Sequence, residues 1–314
     1  RDFEERNPDR GHEFVSGLPI ALDAAQSGVQ HFACASLNYN DGLLTNLVPQ
    51  DKPNDLYAAC LERSKELLQQ KLDADIASYD ADPMTDEDKQ VVADYEAFVS
   101  DESNDWDAVK QRRHNFNRTV TASKKKLLDH IDIVRRTLAY DGYNRSFIKR
   151  NAMTFSYSSR SYGFAEQLRS DEMKPLSRKV RLGELDEHPF GKDRGYMASI
   201  ILGQIHERAI RDTVQSVSQG MDFLQSCSDA LCNENKHFQF VTKWGFPVYQ
   251  SYEEEARNPN RPKLLFYNFD LKELVAGSQA LSLRKFSGRV HRAHSRQGIA
   301  PNTIHAQDAL MLQM

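Results

Sequence analysis

The run RGYMASIILGQIHERAIRDTVQSVSQGMDFLQSCSDALC, residues 194–232, keeps apolar side chains at helical spacing well beyond the length of an ordinary globular helix. A segment of this kind commits the chain to a helical framework. Its spacing predicts one long helical region with a break near Gly220. NDLYAACLERSKELLQQKL (54–72) repeats the pattern. PMTDEDKQVVADYEAFV (83–99) predicts a further helix, with Thr85 as N-cap and an acid three residues on. Residues 119–139 and VQHFACASL (29–37) also read as helices. Strand signals lie toward the ends: LPIALD (18–23), RPKLLFYNFDLK (261–272), and FQFVTKWGFPVYQSY (238–252), which alternates around a Gly-Phe-Pro turn and predicts a hairpin. GIAPNTIHAQDALML (298–312) predicts a proline-containing turn followed by a helix. The expected class is α+β, rich in helix.

A chain of 314 residues has room for one large domain or two ordinary ones. No apolar run reaches the length of a membrane span. The four cysteines, Cys34, Cys60, Cys227 and Cys232, form no C-x-x-C pair and no zinc spacing, which points to a reduced, intracellular protein. The net charge of −4 is unevenly spread. Residues 110–160 carry thirteen Lys and Arg side chains against three Asp, whereas DADIASYDADPMTDEDKQ (73–90) is strongly acidic. The reading is of two stretches facing different environments, the acidic one toward solvent and the basic one, Lys124, Lys125 and Lys126 included, either toward nucleic acid or toward water as an ordinary solvated helix surface.

Two short stretches carry candidate chemistry. Asp23 ends the LPIALD strand and is followed by small residues, a place that suits a metal-binding carboxylate as well as a simple turn cap. In RSFIKRNAMTFSYSSRSYGF (145–164), Arg145, Lys149, Met153 and Tyr157 recur every four residues. Each such step drifts only about 40° around a helix, so a continuous helix would align them on one broad face about 18 Å long. Such a face suits a long anion with a flat, polar far end, such as a nucleoside triphosphate, or equally a solvated surface with a buried tyrosine.

Taken together, LPIALDAAQSGVQHF (18–32) and RSFIKRNAMTFSYSSRSYGF resemble motifs A and B of the single-subunit RNA polymerases of phages and mitochondria. Arg145, Lys149, Met153, Thr154, Tyr157 and Gly163 stand in register with motif B. TNLVPQDKPNDLY, GFPVYQSY and GIAPNTIHAQDALML resemble three further segments of that family, in the same order, so the likeness spans residues 14–312. It implies a right-hand polymerase, a DNA-directed RNA polymerase using two Mg²⁺ ions. It further implies palm at 1–45, fingers at 46–297 and a return to the palm at 298–314. Asp23 is the implied metal ligand and, with Lys149, a catalytic residue. Arg145 and Lys149 would grip the triphosphate, Tyr57 would line the nucleotide site, and Tyr157 would help select ribose. His305, Ser27 and Gly28 would approach the nucleic acid. The implied partners are template DNA, nascent RNA and nucleoside triphosphates, with no membrane. Ser27 and Gly28 follow the phage form of motif A, which implies a phage enzyme in an infected bacterial cytoplasm, with a mitochondrial enzyme as the alternative.

Departures accompany the likeness. Ala24-Ala25-Gln26 stands where Gly-Ser-Cys is usual, and Ser158 where glycine follows the tyrosine. No His-Asp-Ser tripeptide, the family's second metal site, occurs before Met314. The expectation is therefore a middle piece of a polymerase, cut or split and inactive alone, with an amino-terminal domain and a carboxyl-terminal palm segment in the same or another chain. Two other readings stand beside it: a catalytically silent nucleic-acid-binding piece, and a related right-hand DNA polymerase. The second usually has Phe at the Met153 position and a different motif A.

Overall fold

A computed structural model describes residues 26–101, 103–255 and 286–312, with short strands at 263–264, 267–268, 273–274 and 281–282. Asp23 and the LPIALD strand lie outside the described residues. Twelve helices are described. They are α1 (Ser27–Ser36), α2 (Tyr39–Leu44), α3 (Leu56–Ala81), α4 (Asp86–Ser100), α5 (Trp106–Phe116), α6 (Val120–Ala139), α7 (Arg145–Phe155), α8 (Ser161–Leu168), α9 (Lys174–Arg181), α10 (Tyr196–Thr213), α11 (Gln215–Asn233) and α12 (Arg292–Leu312). A π-helical turn, Arg169–Met173, joins α8 to α9. The strands form four antiparallel pairs. β1 (Phe238–Val241) and β2 (Pro247–Gln250) make the expected hairpin, with Phe238 opposite Gln250 and Val241 opposite Pro247. The other six, β3 (Glu253–Glu255), β4 (Lys263–Leu264), β5 (Tyr267–Asn268), β6 (Glu273–Leu274), β7 (Leu281–Ser282) and β8 (Phe286–Val290), pair in nested order: β3 with β8, β4 with β7, β5 with β6. The class is helix-rich α+β.

The core gathers around α10, whose Ala198, Ile201, Leu202, Ile205, Ala209 and Ile210 are buried. Helices α3, α6, α7, α8 and α11 all pack against it. Gly203 permits the closest approach: a Cβ there would lie 2.5 Å from the Ser161 carbonyl oxygen and 3.1 Å from the Ala165 nitrogen, both backbone atoms of α8.

Several sequence expectations are corrected. The break in the 194–232 run falls at Val214 (φ −118°, ψ 83°), not near Gly220. The buried Asp41 of α2 accepts from the backbone N–H of Ser216, 2.7 Å away, and from its hydroxyl, so a carboxylate distant in sequence starts α11. Gly220 sits inside α11, where a Cβ would strike the Phe32 ring. The stretch expected to open at 298 as a turn is helical throughout α12, with Pro301 in its interior. Burial of Ile299, Ala300 and Ile304 holds it there against the hydrogen bond that proline removes.

The acidic and basic stretches do not face apart. Lys124 of α6 reaches Asp82 at 2.7 Å and Asp88 at 3.4 Å, and Lys125 reaches Glu96 at 3.2 Å. Thr121 donates to Asp88 at 2.6 Å, while Asp88 and Thr85 form the capping box expected at the start of α4. Opposite charge draws α4 along α6, so two cations of the basic run are neutralised within the chain. The α4 helix otherwise buries no residue, in keeping with a solvent-facing segment.

Candidate nucleotide and nucleic-acid site

The 145–164 stretch is two helices. α7 ends at Phe155 and α8 begins at Ser161. Between them the N–H of Ser159 bonds the Thr154 carbonyl at 3.2 Å, and the N–H of Ser158 bonds that of Phe155 at 3.0 Å. These two bonds form a Schellman cap, whose last residue before the exit takes a left-handed conformation. Ser158 occupies that position at φ 69°. Its hydroxyl oxygen is buried without a hydrogen-bond partner among the described residues. The expected continuous face is thereby divided: Arg145 and Lys149 lie on α7, whereas Tyr157 sits in the cap beyond it.

At the start of α7 the guanidinium of Arg145 lies 4.7 Å from the centre of the Tyr57 ring, and the Lys149 ammonium 5.9 Å from the same ring. Tyr57 comes from the first turn of α3 and is half-buried. Its hydroxyl accepts from Gln26 Nε2 at 2.8 Å. Asp55 ties the group together. It caps α3 by accepting from the N–H groups of Tyr57 (2.9 Å) and Ala58 (3.2 Å), and it pairs with Arg145 Nε. Partial burial raises the Asp55 pKa, but the bond from Arg145 and the two backbone N–H groups outweigh it and hold the carboxyl below its ordinary range. Among the described residues no carboxylate comes within salt-bridge distance of Lys149. The arrangement is a pair of cations over an aromatic face, with one cation already held by a carboxylate and one available to an incoming anion.

A second group lies at the cap of α7. Tyr157 stacks on His305 of α12, centroids 5.1 Å apart and planes 19° apart. On the same helix Asp308 accepts from His31 Nε2 at 2.9 Å and from the Ser27 hydroxyl at 3.4 Å. Gly28 is buried, and a Cβ there would lie 2.4 Å from the Ser156 hydroxyl oxygen, so α1 and the cap of α7 touch through it. An open cleft of about 420 Å³ continues from His305 along β2, lined by Phe246, Tyr249, Tyr252 and Asn302.

Tyr57, Arg145 and Lys149 thus meet, and Tyr157 meets His305, whereas Ser27 and Gly28 touch the neighbouring Asp308 and Ser156. Sequence reasoning missed Asp55, Gln26, His31 and Asp308. Asp55 carried a signal, as an N-cap directly before a strong helix. The partners of Gln26, His31 and Asp308 lie 31, 277 and 277 positions away, which no local pattern reveals. Among the described residues no group of three or more His, Cys, Asp or Glu side chains could hold a metal ion.

Residues 4–314 match the sequence pattern of the DNA-dependent RNA polymerases. The chain belongs to that family. It is similar to the T7 RNA polymerase of Escherichia phage T7, 28% identical over 316 residues covering 96% of this chain and 30% of that protein. It resembles the DNA-directed RNA polymerase of Enterobacteria phage T3 to a like extent, at 27% identity with 97% and 30% covered. A chloroplastic DNA-directed RNA polymerase 3 of Nicotiana sylvestris is 23% identical, with 96% and 23% covered. The chain therefore spans about 30% of the length of its phage relatives. Membership in the RNA polymerase family sets aside the DNA polymerase alternative. Among the described residues no helix is long and apolar enough to cross a membrane.

Proposed function

We propose that this chain forms part of the catalytic core of a DNA-directed RNA polymerase, carrying the nucleotide-binding face of the fingers and part of the palm. The supporting observation is the meeting of Tyr57 with Arg145 and Lys149, from elements 88 residues apart, at the edge of one helix. Arg145 and Lys149 bind the triphosphate, Arg145 by its fork and Lys149 as a point charge. Asp55 holds Arg145 in place until phosphate oxygens compete for it. Tyr57 supplies the floor, Tyr157 meets the ribose, and His305 with Ser27 and Gly28 borders the primer–template. The palm comprises 1–45 and 298–314, and the fingers 46–297. The partners are template DNA, RNA and nucleoside triphosphates, in a phage-infected bacterium.

Asp23 is the residue of this chain that would hold Mg²⁺, and a carboxylate is the hard oxygen donor that ion prefers. When bound, the ion neutralises charge on phosphate oxygens.

The test is nucleoside triphosphate binding by Lys149→Ala. A charge-assisted phosphate bond contributes about 1.5–3 kcal/mol, so affinity should fall by roughly 10- to 150-fold. Lys149→Arg should restore only part of it, because fork and point charge differ. Unchanged affinity in Lys149→Ala would remove α7 from the nucleotide site.

A further inference from the structure

A chain of polar groups, buried at Ser64, Tyr143, His206 and Asn151 and half-buried at Thr154 and Gln167, runs from α3 to α8 behind the face just described. Its direction follows from the Phe164 carbonyl, which only accepts: the Asn151 side-chain atom 3.4 Å from it is therefore Nδ2. Thr154 donates its hydroxyl to the Arg150 carbonyl at 3.0 Å. Gln167 Nε2 donates to that hydroxyl at 3.1 Å, and Gln167 Oε1 lies 3.3 Å from the same oxygen. Gln167 Oε1 also accepts from Asn151 Nδ2 at 2.9 Å. Asn151 Oδ1 must then face His206 Nδ1, 2.8 Å away, so the proton of His206 sits on Nδ1. The bare Nε2 accepts from the Tyr143 hydroxyl at 2.9 Å, and the Tyr143 oxygen accepts from Ser64.

His206, Asn151 and Ser64 are all at most 1% exposed. Asn151 stands at the middle of α7, two residues beyond Lys149 and so about 200° around the helix from it. The apolar contacts of α7, through Phe147, Ile148, Ala152 and Phe155, supply adhesion but little direction. A hydrogen bond at Asn151 has direction, and it fixes how far the helix is rotated about its axis.

We propose that His206 and Asn151 are positioning residues for nucleotide binding: the His206 Nδ1–H···Oδ1 Asn151 bond sets the rotation of α7 and thereby aims Arg145 and Lys149 at the triphosphate. Neither residue touches substrate. The inference rests on the reading of α7 given above. The neutral state it requires is maintained by burial, which pushes the His206 imidazole down to about 3.

The experiment measures Mg–ATP affinity of the 314-residue chain by titration calorimetry, with circular dichroism as the check of folding. His206→Phe keeps a ring beside Tyr143 and removes both hydrogen bonds; affinity should fall about tenfold. His206→Asn places an amide N–H where Nδ1–H stood and should recover most of the loss. Lys149→Ala serves as the control for the underlying reading. The ¹⁵N shifts of the wild-type imidazole, assigned by difference from folded His206→Asn, should show Nδ1 protonated and Nε2 bare at pH 7. Affinity within twofold of wild type in folded His206→Phe, or a proton on Nε2, would overturn the proposal while a Lys149→Ala loss left the nucleotide site standing. No loss in Lys149→Ala would overturn both.

Discussion

Ser158 shows how a single residue can satisfy a backbone requirement at a cost. The Schellman cap of α7 needs a left-handed residue, a conformation that penalises any side chain with a Cβ by about 1–2 kcal/mol. Ser158 adopts it at φ 69° and also buries an unpartnered hydroxyl oxygen. Glycine at this position removes both costs, offset in part by the greater freedom of glycine in the unfolded chain. Ser158→Gly should therefore stabilise the chain by roughly 1 kcal/mol, measured as a rise in the urea midpoint with an unchanged m-value. A lower midpoint would mean that the serine has a compensating contact. The same substitution leaves Tyr157 stacked on His305, because the ring lies before the cap residue.

At the scale of elements, charge and shape decide which helices meet. Lys124 and Lys125 of α6 serve the acidic stretch and α4 rather than a partner: Lys124 is 13% exposed and held by two aspartates, and Lys125 reaches Glu96. Lys110, Arg113 and Arg118, on α5 and just after it, are exposed, and no carboxylate comes within salt-bridge distance of them among the described residues. If this region meets nucleic acid, those cations bind its phosphates. Replacing all three by alanine should flatten the slope of log affinity against log salt by about 0.7–0.9 for each phosphate left without its cation. Lys124→Ala should leave the slope unchanged. A flattened slope for Lys124→Ala alone would reverse the assignment. Shape acts at Gly203, where α10 and α8 touch backbone to backbone. Gly203→Ala drives a Cβ to 2.5 Å from the Ser161 oxygen, which cannot give way without moving α8. A loss of roughly 1–3 kcal/mol in denaturant titration is expected.

For the molecule as a whole, the buried imidazole of His206 couples folding to pH. Its native value is pushed down to about 3 by burial, against about 6.5 when unfolded. Between these limits the unfolded chain binds the extra proton. Stability from this group is complete above about pH 6.5 and falls as pH drops toward 3, with a slope of up to about 1.4 kcal/mol per pH unit. His206→Gln should lose that slope. Unfolding free energies at pH 5, 6 and 7 should therefore converge between wild type and variant as pH falls. Parallel curves would show that the imidazole is charged or solvated in the folded chain.

The sequence by itself determined the helical framework and the residue types of the candidate site. Helical spacing marked α3, α6 and α10, because an amphipathic stripe must be buried whatever it packs against. The capping box of α4 and the β1–β2 hairpin were legible for the same reason: their bonds join residues close in the chain. The motif register named Arg145, Lys149, Tyr57, Tyr157 and His305 as residues of one function. Tertiary structure decided what local patterns do not contain. It placed the break at Val214, since the carboxylate that starts α11 is Asp41, 175 residues earlier. It kept Pro301 inside α12, since burial of its neighbours outweighs one missing bond. It turned the acidic and basic stretches toward each other, and it brought Tyr57 under Arg145. Each of these depends on partners that the chain meets only after folding, so spacing along the sequence carries no record of them.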